Sequence, residues 1–117
     1  MDEFSWFVGL YEGEGSLGCQ KNHKVVNGKD YYWVQMYLTI KMTDEDVIAR
    51  AANFLGGIKY KPIKSTHKQL YLVRKAGSDK GQLRELLESM RPHLSKRRQQ
   101  QIDDKLAIAL QIRDNLV

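Results

Sequence analysis

The chain has 117 residues, 42% of them hydrophobic, and carries a net charge of +5. A single domain of this size can bury a core, no apolar run approaches the roughly 18 residues of a membrane span, and the acidic start "MDEFSW" lacks the basic region of a secretory signal. Cys19 is the only cysteine, which excludes an internal disulfide and a thiolate metal cluster and makes a reducing, intracellular setting (cytoplasm, nucleoid or organelle matrix) the expectation.

The charge is unevenly spread. Residues 1–16 hold Asp2, Glu3, Glu12 and Glu14 and no Lys or Arg, so the remaining 101 residues set 19 bases against 10 acids. A basic body with one small acidic spot suits a polyanion partner, with the acids reserved for another task.

From Phe4 to Glu12 the chain is bulky and apolar, with Gly9 and Gly13 four apart. On a helix such positions share a face, leaving it almost without side chains. Each glycine there costs up to about 1 kcal/mol against alanine, and close approach of another backbone is the simplest compensation. Alternation begins at Ser16, with Leu17 and Cys19 on one side and Gln20 and Asn22 on the other, and Asn27-Gly28 signals a hairpin reversal. The next run, "YYWVQMYLTIKMT", separates Tyr32, Val34, Met36, Leu38, Ile40 and Met42 from Tyr31, Trp33, Gln35, Tyr37, Thr39 and Lys41. This is the pattern of a long strand with one buried and one presented face.

Thr43-Asp44-Glu45-Asp46 reads as a helix start, and Gly56-Gly57 ends the helix that follows. Ile58 to Ser65 and "QLYLVRK" read as a second hairpin, with Leu70 and Leu72 inward and Gln69, Tyr71 and Val73 outward; Pro62 suggests an edge. Ser78 is expected to cap a helix that stops near Pro92, and Ser95 to start another through Lys96-Arg97-Arg98. The predicted order is α-β-β-α-β-β-α-α.

Gly13, Gly15 and Gly18 spell G-x-G-x-x-G, but a dinucleotide site needs these glycines after a strand and before a helix, and here the order is reversed. A glycosidase-type acid pair is also disfavoured, because residues two apart on a helix do not face each other. By themselves Glu12 and Glu14 read as solvated acids at a helix end; the flanking glycines argue for more.

"FVGLYEGEGS", Phe7 to Ser16, resembles the signature of the LAGLIDADG homing endonucleases, and the element order resembles one half of their core across nearly the whole chain. The resemblance implies an α+β fold, an αββαββα half with an antiparallel saddle-shaped sheet and helices on one face, in a single DNA-binding and cleavage domain over residues 1–117. With one copy of the motif, the chain is similar to homodimeric members that hydrolyse phosphodiester bonds in a long, nearly palindromic double-stranded DNA site. Val8, Gly9, Glu12 and Gly13 would form the dimer interface, with Val8 where the family usually has a small residue. Glu14, with Gly13, matches the metal-binding position for Mg2+ or Mn2+. Asp44 and Arg97 match supporting catalytic positions for the water network and for transition-state charge.

The DNA-binding candidates are Gln20, Asn22, Lys24, Trp33, Gln35, Tyr37, Thr39, Lys41, Lys61, Lys64, Gln69 and Tyr71. The 13-residue strand reaches about 43 Å, or at most about 12 base pairs per subunit. An intron-encoded mobile element is the expected setting. A cleavage-deficient DNA-binding regulator and an RNA-binding maturase are the alternatives on the same fold. No membrane partner is expected.

Overall fold

The computed structural model describes residues 1–116. Its elements are α1 (Glu3–Glu14), β1 (Gly15–Val26), β2 (Lys29–Met42), α2 (Glu45–Phe54), β3 (Tyr60–Lys64), β4 (Gln69–Gly77), α3 (Gln82–Met90), a 3-10 turn (Arg91–His93) and α4 (Lys96–Asp114). The strands make one antiparallel sheet in the order β1-β2-β4-β3, so the protein is α+β as expected. No described helix is long and apolar enough to cross a membrane.

Local chemistry accounts for the boundaries. Asp2 caps α1, its carboxylate accepting the Ser5 N–H at 2.7 Å. At the other end Gly15 turns the chain into β1. A Cβ there would lie 2.2 Å from the ring of the wholly buried Tyr11, so only glycine leaves room for that ring. Asn27 and Gly28 both take positive φ, 51° and 77°, as a two-residue primed turn requires. After α2, Gly57 donates to the Ala52 carbonyl and Gly56 to that of Asn53. These are the two bonds of a Schellman motif, and Gly56 supplies its left-handed residue.

Two expectations shift. Ser78 does not cap α3, which begins at Gln82; its hydroxyl accepts the Lys80 N–H in the preceding turn. Ser95 does cap α4, accepting from Arg98. Tyr32 is not inward but 43% exposed, because the far end of the hairpin lies beyond the apolar run Val34, Met36, Leu38 and Ile40.

The chain divides into two compact units. The first comprises Met1–Ser16 and Leu38–Lys75, the second Leu17–Tyr37 and Ala76–Val117. In the first, α1 lies on α2, with Phe7 stacked on Phe54 at 4.6 Å and Val8, Tyr11, Ile48, Ala51, Leu55 and Val73 buried. Arg50 of α2 covers the Trp6 ring at 4.1 Å and bonds the Glu3 carboxylate through Nε and Nη2. In the second, Val34, Met36, Leu83, Leu87, Met90, Leu94, Ile102 and Ala109 are buried. Its charged anchor is Asp79, 3% exposed, which accepts from Nε and Nη2 of Arg113.

Candidate nucleic-acid interface

In the second unit, alternation along β1 and β2 places Gln20 and Asn22 on the same face as Trp33, Gln35 and Tyr37. The structure joins all five. Gln20 donates to the Asn22 side-chain oxygen at 2.6 Å and to the Tyr37 hydroxyl at 3.0 Å. Asn22 donates to Gln35 at 3.2 Å and to the same hydroxyl at 3.3 Å, and the Trp33 indole donates to Gln35 at 2.6 Å. The result is an uncharged ladder of amides and rings along one face, with the exposed Lys24 further along the same side of β1. On the opposite side of the hairpin Tyr32 is covered by the His23 ring at 4.5 Å and by Lys21, while His23 meets Asp30 at 2.7 Å.

In the first unit the facing of β3 and β4 is the reverse of the expectation. Val73 is fully buried, and the register pairs Tyr60 with Val73, Pro62 with Tyr71 and Lys64 with Gln69. Directly opposed residues share a face, so Gln69, Tyr71 and Lys64 lie on the side of buried Val73 and not on the presented side. Tyr60 and Tyr71 meet edge to face at 6.4 Å, and the Glu45 carboxylate of α2 accepts from Tyr60 and raises the pKa of both phenols. The Gln69 amide is occupied by the Ile63 and Leu70 carbonyls.

The presented side of this unit is instead Leu70, Leu72 and Arg74 of β4 with Lys61 and Ile63 of β3. Arg74 donates from Nε to Thr39 at 3.1 Å, which ties it to the β2 face that also carries Lys41. Lys59, Tyr60, Lys61, Leu72 and Arg74 line an open recess of about 200 Å3. Lys59, Leu72 and Arg74 are absent from the sequence-based candidates. Both alternating sets of "QLYLVRK" contain apolar residues and both end in a base, so alternation alone does not choose between them. Lys75, on the Val73 side, reaches the Leu55 carbonyl.

Gly9 and Gly13 of α1 are exposed, and a Cβ on either would meet nothing within 4 Å. Val8 is 7% exposed, buried within its own unit and off that glycine face. Glu12 is half-buried and Glu14 exposed in the last turn, which has no basic residue. A helix C-terminus carries partial negative charge and unpaired carbonyls, so a carboxylate there is well placed for a cation and poorly placed without one. Asp44 precedes α2 as its N-cap, exposed and without a side-chain capping bond. Among the described residues no three His, Cys, Asp or Glu side chains gather to hold a metal. Arg97 belongs to the second unit, exposed in the first turn of α4; its neighbour Arg98 is 8% exposed and bonds Gln101.

No family model and no curated protein matches the sequence. Solved structures do. The homing endonuclease I-CvuI, in complex with a DNA target in the presence of magnesium, is 21% identical with a TM-score of 0.60, over 97% of this chain and 67% of that one. The group I intron-encoded homing endonuclease I-CeuI, complexed with DNA, is 13% identical with a TM-score of 0.67, over 97% of this chain and 56% of that one. The LAGLIDADG homing endonuclease I-LtrWI, bound to target DNA, gives a TM-score of 0.52 at 14% identity, over 75% of this chain and 30% of that one. The chain has the LAGLIDADG homing-endonuclease fold.

In this LAGLIDADG fold the motif helix is α1. The chain spans about two thirds of I-CvuI and just over half of I-CeuI, and it carries the motif once. The sheet offers two kinds of presented surface, a neutral ladder in the second unit and a cationic recess in the first.

Proposed function

We propose that the protein is a single-motif LAGLIDADG homing endonuclease, encoded within a mobile element. It acts as a homodimer that cuts double-stranded DNA at a long, nearly palindromic site with magnesium or manganese. The observation that carries this reading is the exposed face of α1, where Gly9 and Gly13 leave open space along a helix that ends in an exposed Glu14. A second copy of the same helix fits such a side-chain-poor face, and the pairing would bring two Glu14 carboxylates to one axis.

Glu14 and the Gly13 carbonyl are hard oxygen donors suited to magnesium, which keeps several waters and readily shares phosphate oxygens. When bound, the metal supplies charge stabilisation for the attacking water and the departing oxygen of a phosphodiester. The chain's own contributions are separate. Glu14 holds the cation at the negative end of α1, Asp44 orders water by accepting its protons, and the always-charged Arg97 balances negative charge on the phosphate. The presented sheet faces suit the major groove, which admits a two-stranded ribbon.

Incubating the protein with a randomised palindromic duplex library, with and without magnesium, tests the reading. Magnesium-dependent cuts at one long symmetric site are expected. Glu14→Gln should keep binding and reduce cutting at least about a hundredfold, the scale of losing one charge-stabilising group; unchanged cutting would sink the metal site. Retention of duplexes without any cutting would favour a DNA-binding regulator, which needs the sheet faces but not Glu14. Sedimentation checks the dimer, and a strict monomer with and without DNA would contradict it.

A further inference from the structure

Three acids in a row, Asp44, Glu45 and Asp46, open α2, and only Glu45 is tethered to another element. Its carboxylate accepts the Tyr60 hydroxyl of β3 at 3.2 Å, and a hydrogen bond to the same carboxylate is the largest cause of the raised Tyr71 pKa on β4. The β3-β4 register sets Tyr60 against Val73 and Tyr71 against Pro62, so the two tyrosines are diagonal neighbours on one face, and their rings meet edge to face at 6.4 Å. Two phenols from two strands close on one carboxylate. With their pKa values raised, both remain donors throughout the neutral range.

Asp44 is held in another way. It is the N-cap of α2, its carbonyl accepts the Ile48 N–H at 3.2 Å, and its exposed side chain makes no capping bond. An N-cap side chain ordinarily ties down the first turn by accepting from the second or third helical N–H. Here the tether sits one residue further on, at Glu45, and the Asp44 carboxylate is not spent on its own helix.

Resting on the reading above, in which Asp44 orders water for phosphodiester cleavage, we infer that Tyr60, Tyr71 and Glu45 form a positioning clasp for Asp44. The clasp pins the first residue of α2 to the β3-β4 hairpin and so fixes the backbone from which Asp44 projects. All four residues belong to the first unit. None of the three clasp residues needs to meet the substrate, because each acts through the chain next to Asp44. The ring contact does not depend on the hydroxyls, so phenylalanine at both positions opens the clasp and keeps the packing.

The experiment compares the double variant Tyr60→Phe with Tyr71→Phe, Asp44→Ala and the triple variant with wild type, first without metal or DNA. Hydrogen exchange at the Ile48 amide, which reports the bond to the Asp44 carbonyl, should quicken several-fold in the double variant, while the Leu55 amide at the far end of α2 is unchanged. Single-turnover cutting of the selected duplex in saturating magnesium should slow about tenfold or more, with affinity for the duplex in calcium unaltered. In the Asp44→Ala background the two Tyr→Phe changes should add no further loss, a coupling that a merely structural role would not produce. Glu45→Gln keeps an acceptor oxygen for the phenols and should cut faster than Glu45→Ala. Asp46→Asn removes a neighbouring acid, leaves the clasp intact and should cut at the wild-type rate.

Full cutting by the double variant while Asp44→Ala is slow overturns the inference and leaves the endonuclease reading standing. So does an unchanged Ile48 amide, or a loss that multiplies with that of Asp44→Ala. Equal cutting by Asp44→Ala and wild type removes the role of Asp44 and the clasp with it, and a wild type that cuts nothing removes the cleavage reading and the inference together. Circular dichroism checks folding; if the double variant is unfolded, Tyr60→Phe and Tyr71→Phe singly carry the same cycle, with the same overturning results.

Discussion

The presented faces of the two units, one on β1 and β2 and the other on β2, β3 and β4, are chemically opposite. In the second unit Gln20, Asn22, Trp33, Gln35 and Tyr37 are uncharged and bonded to one another. In the first, Lys41, Lys59, Lys61 and Arg74 bring charge, and the bond from Arg74 to Thr39 links two strands of that face. Neutral groups held in a network are arranged before any ligand arrives but release no counterions, whereas lysines supply salt-sensitive affinity to any phosphate backbone. On the proposed DNA-binding reading, the ladder of the second unit would serve discrimination and the lysines of the first would supply general attraction. The interiors differ as well. The first unit has its ion pair Arg50–Glu3 outside, over Trp6, while the second buries a carboxylate and anchors it with Arg113.

The strongest way to break this comparison is through that buried carboxylate. Arg113→Ala leaves Asp79 uncompensated at 3% exposure and should cost about 3 kcal/mol, the lower end for a broken buried pair because Arg113 is itself partly exposed. A chemical denaturation midpoint measures it, and a loss no larger than that of Arg50→Ala at the surface pair would remove the distinction between the interiors. The pH dependence has a definite sign. The Arg113 guanidinium holds the Asp79 carboxyl below its ordinary 3.8 against the opposing effect of burial. The pair's contribution is therefore fully present above about pH 4 and is lost as the pH falls through the lowered folded value. Arg113→Ala should flatten the acid limb of a stability-against-pH curve.

How much of this was legible in the sequence follows from which signals were redundant. The β2 pattern was read correctly over Val34, Met36, Leu38 and Ile40, because each face repeats over many residues; it failed at Tyr32, where the core ends before the strand does. The ladder members were legible singly as polar positions, but their bonds were not, since these depend on the register between β1 and β2. β4 was misread because Leu70, Leu72, Tyr71 and Val73 make both faces apolar; the cue that decides it, Arg74 reaching Thr39, spans 35 residues. Glu14 was singled out by its flanking glycines, and the second chain and DNA that the proposed function would bring to it are not encoded locally.

Gly15 gives the next largest effect and acts on the first unit alone. Its φ of −76° suits any residue, so the demand for glycine is purely steric. A methyl group 2.2 Å from the buried Tyr11 ring must displace either the ring or the start of β1. Gly15→Ala should cost about 2 kcal/mol, within the range for overpacked cores. Tyr11→Leu combined with Gly15→Ala should recover part of the loss, and a double-mutant cycle in thermal unfolding checks the coupling. Gly9→Ala, where a Cβ meets open space, is the matched control and should not lower the stability of the isolated chain.

The smallest effect on stability should be the most informative about function. Tyr37→Phe removes the hydroxyl that accepts from both Gln20 and Asn22, yet these amides are not deeply buried and can turn to water, so unfolding should change by less than about 1 kcal/mol. The two amides would then no longer share an acceptor that fixes their direction. Base discrimination opposite β1 should relax several-fold while the slope of affinity against salt stays constant, because no charge has been removed. Lys61→Ala should do the reverse, reducing the slope and leaving discrimination alone. Binding titrations of both variants at three salt concentrations and on two half-site sequences test the separation directly. If Tyr37→Phe changes the salt slope as much as Lys61→Ala does, the two faces do not divide the work, and the neutral ladder serves only to hold the hairpin together.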